Sequence, residues 1–299
     1  MSYLDPAGLA RIGNLELIAK QVVEGFLTGK HRSPYHGFSV EYLDHRSYTP
    51  GDEMRMLDWK VVARTDKYYV KLYEDETNLR ATILLDCSKS MDFGKGGTAS
   101  DQGLSKLQWG SYLAAALTYL LIRQNDSVGL MLFDTKVRTY IPPKAHPTQF
   151  RRILDVLDGV EPGGETDCGT VLHEAAERLK RRGLVVVISD LIDNEDNVAS
   201  GLQHFRHNNH EVIAFHTLDD AELNFPFDRI TRFQDMEGSG RVVVNPKSLR
   251  KKYLERIKAF TQRLEDDCHE RKISYNLANT KEGYAPYLAA YLDKRHRLG

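Results

Sequence analysis

Nothing in the 299 residues offers a disulfide framework or a structural zinc site. The three cysteines, Cys87, Cys168 and Cys268, are widely spaced and form no C-x-x-C pair, which fits a reducing compartment. Net charge is nearly absent: 41 lysines and arginines face 42 aspartates and glutamates, leaving −1. No global field therefore draws the chain towards nucleic acid or an anionic membrane. A run of the ~20 apolar residues that a spanning helix needs is also missing, since the longest block, 112–122, is short and broken by Thr118. The opening M-S-Y-L-D-P lacks a charged head followed by an apolar signal core, so a soluble cytoplasmic protein is expected. Absence of a G-x-x-x-x-G-K-[ST] loop argues against ATP hydrolysis by this chain. What is present is 41% hydrophobic content, enough for a sizeable core in one large domain or two ordinary ones.

The stretch Ala81 to Ser90, A-T-I-L-L-D-C-S-K-S, organises the rest. Ile83, Leu84 and Leu85 form a continuous apolar run, the pattern of a strand buried on both faces in a parallel sheet, and Asp86 ends it. Ser88 and Ser90 place two neutral oxygens on one side of the following turn. Together with Asp86 they make a hard, weakly charged oxygen cluster that suits Mg²⁺ or Mn²⁺. The same residue types also cap turns and helices, and D-x-S-x-S alone does not separate the two readings. Two later stretches bear on the choice. Gly163-Gly164-Glu165-Thr166-Asp167 is a glycine-rich loop ahead of a helix expected over 171–182, and Val185 to Asp190 is a second buried strand ending in a carboxylate. In an open α/β sheet, ligands sit outside the carboxyl ends of the strands where the winding reverses. Asp86 and Asp190 fall at such ends, and Thr166 can join them from its loop.

This constellation resembles the von Willebrand factor A-type domain, whose metal-ion-dependent adhesion site combines D-x-S-x-S, a loop threonine and a strand-end aspartate. Asp86, Ser88, Ser90, Thr166 and Asp190 fill the five positions in order. The resemblance implies an α/β fold, a doubly wound, mostly parallel, Rossmann-like sheet, and Mg²⁺ or Mn²⁺ held by those five residues. Residues 1–79 read differently. A helix is expected over 12–27, with Leu15, Leu17, Ile18, Val22, Val23 and Phe26 on its apolar face. Alternating strands are expected over 37–42 and 69–74. Between them His45 to Asp52 forms a loop with a Pro-Gly turn, followed by Leu57-Asp58-Trp59-Lys60 and Ala63-Arg64. This region resembles the bacterial family known as domain of unknown function fifty-eight, marked by R-x-Y-x-P-G-D, then I-D-W and A-R ahead of the metal motif. Arg46, Tyr48, Pro50, Gly51, Asp52, Asp58, Trp59, Ala63 and Arg64 match, with Leu57 in place of isoleucine. The expected division is an N-terminal helix and β extension over 1–79, then a von Willebrand factor A-type domain over 80–299 with an inserted hairpin near 218–245.

Beyond the metal strand the pattern alternates as a doubly wound sheet requires. A deeply packed helix is expected over 105–123 and a strand over 127–133. An antiparallel edge strand follows over 137–141, closed by Pro142 and Pro143. Further helices are expected at 147–157 and 197–207, and further strands at 184–190 and 211–217. The hairpin pairs 230–236 with 241–245. After it come a helix with Leu249, Tyr253, Ile257, Phe260 and Leu264 on one face, a strand at 273–277 and a closing helix at 284–295. His204, His207 and His210 are spaced by three but straddle a helix stop, and solvated histidines are expected there rather than a metal site. Cys87 and Cys168 neighbour proposed ligands, yet free cysteines commonly serve as small buried hydrophobes rather than redox switches. The basic runs at 180–182, 250–252 and 294–297 sit at helix ends without interleaved aromatics, so no nucleic-acid partner is expected.

Two functions remain. In the first, the chain is a non-catalytic, metal-dependent adaptor whose ion keeps one position open for a Glu or Asp of a protein partner. Three neutral hydroxyls leave the cation's charge only partly cancelled, which favours an incoming carboxylate. Family resemblance implies a MoxR-type AAA+ ATPase as companion, in protein assembly or chaperone activity. The alternative is a metal-dependent phosphoester hydrolase, with Asp86 as nucleophile or with Asp86, Asp134 and Asp190 gathering metal. An aspartyl nucleophile commonly has a second carboxylate two residues on, where Ser88 stands, and the motif loops show no evident base. The reading is therefore that the chain is not an enzyme.

Overall fold

The computed structural model of the protein describes residues 14–29, 45–47, 68–71, 79–94, 104–164, 167–234 and 240–296, with single positions 61, 64 and 236. Its centre is a six-stranded sheet: β3 (Arg80–Asp86), β4 (Ser127–Phe133), β5 (Val137–Lys144), β6 (Leu184–Ser189), β7 (Glu211–Leu218) and β10 (Ser274–Asn279). The order is β10-β7-β6-β3-β4-β5, with every neighbouring pair parallel except β4 and β5. Numbered by their own order, these strands run 6-5-4-1-2-3, a doubly wound arrangement whose winding reverses between β3 and β6. The fold is thus the α/β, mostly parallel, Rossmann-like one expected.

Successive strand side chains point to opposite faces, so the apolar runs feed two cores. Ile83, Leu85, Leu130, Val186, Ile188, Ile213 and Phe215 face one layer; Leu84, Met131, Val185, Val187, Val212 and Ala214 face the other. The first layer is built by α1 (Leu15–Gly29), α2 (Lys106–Arg123), α3 (Pro147–Asp158) and α8 (Ala285–His296). The second is built by α4 (Cys168–Arg178), α5 (Glu195–His207) and the end of α7 (Pro246–Glu270). Among the described residues no helix is long and apolar enough to cross a membrane. α1 packs on α2 through Leu15, Ile18, Val22, Val23 and Phe26, while Leu17 is 45% exposed, because it lies off the i, i+3, i+4 stripe the others share.

Several elements differ from the sequence expectation. β5 continues through Pro142 and Pro143 to Lys144 instead of closing at Ile141. As an edge strand it tolerates prolines that would break a central one. Gly129 makes the room: the register shifts between Val128 and Leu130, and a Cβ on Gly129 would lie 2.5 Å from the Ile141 carbonyl and 2.8 Å from Pro143. Gln149 clamps the irregularity, its Nε2 donating to the carbonyls of Val128 and Pro142, both at 2.9 Å. α4 starts at Cys168, capped by Asp167, and stops at Arg178, so Lys180-Arg181-Arg182 lies beyond it. Burial of Leu179 draws the chain out of the helix four residues early.

β1 (His45–Ser47) pairs antiparallel with β2 (Tyr69–Lys71), placing Arg46 in a strand rather than a loop. The strand expected at 37–42 lies outside the described residues. Between β7 and α7 the chain forms a short helix, α6 (Asp220–Asn224), which the sequence reading missed. The antiparallel ribbon of β8 (Thr231–Gln234) and β9 (Arg241–Val244) follows, the expected hairpin. Phe225, Phe227, Phe233 and Tyr253 pack together at its root, with centroids 4.6–5.7 Å apart.

Candidate functional site

Neighbouring parallel strands β3 and β6 end side by side at the winding reversal, and their ends bring Asp86 and Asp190 together. One oxygen of Asp86 accepts from the Ser88 backbone N–H at 2.9 Å and the other from the Ser189 hydroxyl at 2.7 Å. Beyond the turn, the hydroxyls of Ser88 and Ser90 stand 3.0 Å apart, a spacing that two oxygens around one small hard cation also require. Asp190 accepts from the Ile192 N–H at 3.3 Å and from the Ser90 hydroxyl. Its second oxygen takes a 2.8 Å bond from Lys106 Nζ, which also donates to Glu222 at 2.9 Å. Asp86, Ser88, Lys106 and Asp190 are fully buried.

The glycine loop docks on this turn through its backbone. Gly163 N–H donates to the Cys87 carbonyl at 2.6 Å, and the Gly164 carbonyl accepts from Lys89 N–H at 3.1 Å. Asp134, at the end of β4, holds the loop from the other side, accepting from Gly164 N–H at 3.2 Å while paired with Arg138 at 3.0 Å. A Cβ on Gly163 would displace the Asp134 carboxylate and the Arg138 guanidinium that hold the loop. Thr166 lies outside the described residues; the loop on its N-terminal side is anchored at Gly163 and Gly164 and the helix after it is capped by Asp167.

Charge in the site is unbalanced. Burial, then repulsion from Asp190, raises Asp86 above the usual carboxylate range. Burial opposes ionisation of Asp190 as well, yet the Lys106 ammonium prevails and holds it below that range. Burial opposes the charge on Lys106 too, but the two carboxylates it touches raise it. Glu222 is raised by burial in spite of the lysine. Lys106 bonds Asp190 and Glu222 but not Asp86, so with all three acids ionised the site carries two negative charges in excess of its one ammonium. Among the described residues no cluster of three or more His, Cys, Asp or Glu side chains is arranged to hold a metal. A cation here would therefore depend on Ser88 and Ser90 as well as Asp86 and Asp190, an all-oxygen set that fits Mg²⁺ or Mn²⁺.

Lys106 and Glu222 escaped the sequence reading. One signal was available: a lone lysine in the first turn of an otherwise apolar helix, where the helix dipole opposes a cation. Other expectations need correction. His210 is buried, its Nε2 bonded to the Leu179 carbonyl at 2.7 Å, so it is not solvated, while His204 is half-buried with its Nδ1 3.0 Å from His173 Nδ1 and His207 is exposed. The basic residues at helix ends are partly structural. Arg295 pairs with Asp126 at 2.9 Å, Lys294 with Glu211 at 2.8 Å, and Arg250 binds the Phe225 and Phe227 carbonyls and Asp228. Cys87 and Cys168 are buried, and burial pushes the Cys87 thiol up to about 11, which leaves it protonated and inert.

The strand order and the paired strand-end acids define a von Willebrand factor A-like, doubly wound domain. Residues 44–263 match the model of the family described as protein of unknown function DUF58, and the chain belongs to that family. It is 29% identical over 236 residues to the uncharacterized protein Rv1480 of Mycobacterium tuberculosis, spanning 78% of this chain and 72% of the relative. Among solved structures it is similar to BatB from Bacteroides thetaiotaomicron, at TM-score 0.48 and 16% identity over 74% of this chain and 100% of that one. It is also similar to the SpRpn10 VWA domain, at TM-score 0.37 and 13% identity over 70% of this chain and 94% of that one.

Proposed function

We propose that this chain is a non-catalytic, metal-dependent protein-binding adaptor acting in the cytoplasm. The observation that carries the reading is the buried acid pair Asp86 and Asp190 beside two hydroxyls 3.0 Å apart at the ends of neighbouring parallel strands. Bound Mg²⁺ or Mn²⁺ would supply a coordination position for a carboxylate from outside the chain. Asp86, Ser88, Ser90 and Asp190 would hold the ion, with Thr166 assigned to the set by family resemblance. Lys106 commits one oxygen of Asp190, so that residue would contribute through its other oxygen. The incoming group is a Glu or Asp of a protein partner. By the same resemblance the companion is a MoxR-type AAA+ ATPase in protein assembly or chaperone work.

The hydrolase alternative has less support. Asp134, the further acid that reading calls on, is occupied by Arg138 and the glycine loop. His216, close to Asp190, turns its Nδ1 to the Tyr275 hydroxyl at 2.6 Å within the second core. Calorimetric titration of the chelator-stripped protein with Mn²⁺ tests the adaptor reading. One site is expected, weakened at least about tenfold by Ser88→Ala and by Asp86→Ala, with circular dichroism spectra unchanged. No binding, or Mg²⁺-dependent phosphate release abolished by Asp86→Asn, would overturn it.

A further inference from the structure

The insertion between β7 and α7 carries a surface that the site chemistry does not use. Four of the nine exposed large hydrophobics among the described residues fall in this insertion, among them Ile230 at 75%, Val243 at 64% and Val242 at 59% exposure, and a fifth, Leu249, follows in the first turn of α7. Such concentration of apolar surface marks an interaction site. Positions 228–252, the ribbon together with the first turns of α7, hold seven lysines and arginines against three acids, four of the seven lying in α7, in a chain whose net charge is −1. Among the described residues Arg232, Arg241 and Lys247 are exposed and have no ion-pair partner. The register places Arg232 opposite Val243, and Arg241, two residues before Val243 on the same strand, shares their face of the ribbon, while Val242 lies opposite Phe233 on the other. The alternate residue Phe233 packs on Phe225 and Phe227, which makes the face of Arg232, Arg241 and Val243 the outward one.

Its position matters as much as its composition. α6 begins two residues after β7 ends, at the same edge of the sheet as Asp86 and Asp190. Glu222 of α6 bonds Lys106, and Lys106 bonds Asp190. α6, which runs into the ribbon's root at Phe225, is therefore one lysine away from the candidate site. We propose that the outward face of β8 and β9 receives an acidic, apolar-bearing segment of a protein partner, and that this segment also delivers its carboxylate to the Asp86 and Asp190 site. The second half rests on the cation-dependent reading above. A protein is favoured over an anionic membrane because the ribbon turns its aromatics inward and displays short β-branched side chains. Membrane-surface elements instead present Trp, Phe and Leu.

The test uses the full chain and three labelled 16-residue peptides in fluorescence anisotropy. One alternates glutamate with leucine and valine, one replaces the apolar residues by serine, and one replaces glutamate by lysine. Vesicles of phosphatidylserine and phosphatidylcholine form the fourth arm, and each arm is run with Mg²⁺ and with chelator. The acidic, apolar peptide is expected to bind at least about tenfold more tightly than either control, and Val243→Asp or the pair Arg232→Glu with Arg241→Glu to weaken it about tenfold. Unchanged melting temperatures of these variants exclude misfolding. Equal binding of all peptides, no binding, insensitivity to the ribbon variants, or preference for vesicles would each overturn the proposal. The two readings fail separately. Ribbon-dependent binding that ignores chelator and Asp86→Ala leaves the ribbon as a docking face and sinks the cation, whereas chelator-sensitive binding that ignores the ribbon variants does the reverse.

Discussion

Lys106 occupies the first turn of α2, capped by Ser105, where the helix field works against a cation. Its two carboxylate partners, at 2.8 and 2.9 Å, outweigh that field in a fully buried setting. His216 solves the opposite problem, since burial drives its imidazole down to about 4 from an ordinary 6.5 and the ring stays neutral. Between those values the unfolded chain binds more protons than the folded one, so stability rises with pH across that window and is lost as pH falls through it. The full window is worth about 3 kcal/mol at most. Urea midpoints measured from pH 4 to pH 7 in chelator should therefore show a steeper decline for the wild type than for His216→Gln. Identical slopes would show that the ring does not titrate this way.

Elements were read well where burial is uniform. β3, β4, β6 and β7 are continuous apolar runs bounded by polar residues, and each lies within a residue or two of its expected limits. Where a tertiary contact overrides the local pattern, the reading failed. Pro142 and Pro143 looked like a stop, yet Gly129 on the neighbouring strand makes space for the Ile141 carbonyl and Pro143; residues 179–182 continue a helical pattern, yet Leu179 leaves the helix for the core. The site was readable to the same degree. Asp86, Ser88, Ser90 and Asp190 follow from a motif, whereas Lys106 meets its partners across 84 and 116 positions, which no local spacing records. Gly129→Val tests the β4 to β5 contact. It should cost about 2 kcal/mol through forced displacement of Pro143, seen as a lower melting temperature, while Ala116→Gly in α2 loses only helix propensity and packing. A neutral Gly129→Val would mean that the edge strand moves freely.

Over the whole molecule, the first helical layer gathers elements distant in sequence: α1 and α8 meet α2 in one core. Arg295 ties α8 to the turn before β4 by forking onto buried Asp126 at 2.9 and 3.3 Å, and Asp126 also accepts from Leu79 N–H at 3.2 Å. Arg295→Met would leave that carboxylate buried without its counter-charge, and a loss of about 3 kcal/mol in urea unfolding at pH 7 is expected. Lys294→Met should cost much less, because Glu211 keeps Arg206 at 2.7 Å. Equal costs would argue that Asp126 is solvated. Trp109 of α2 stacks on Tyr284 at 5.0 Å and meets the edge of Tyr287 at 5.1 Å, while its indole N–H reaches the Glu282 carbonyl at 3.4 Å. During synthesis the ribosome exposes that indole long before it releases the rings that enclose it. The side of Trp109 that Tyr284 and Tyr287 cover therefore stays open in the nascent chain until those rings leave the ribosome.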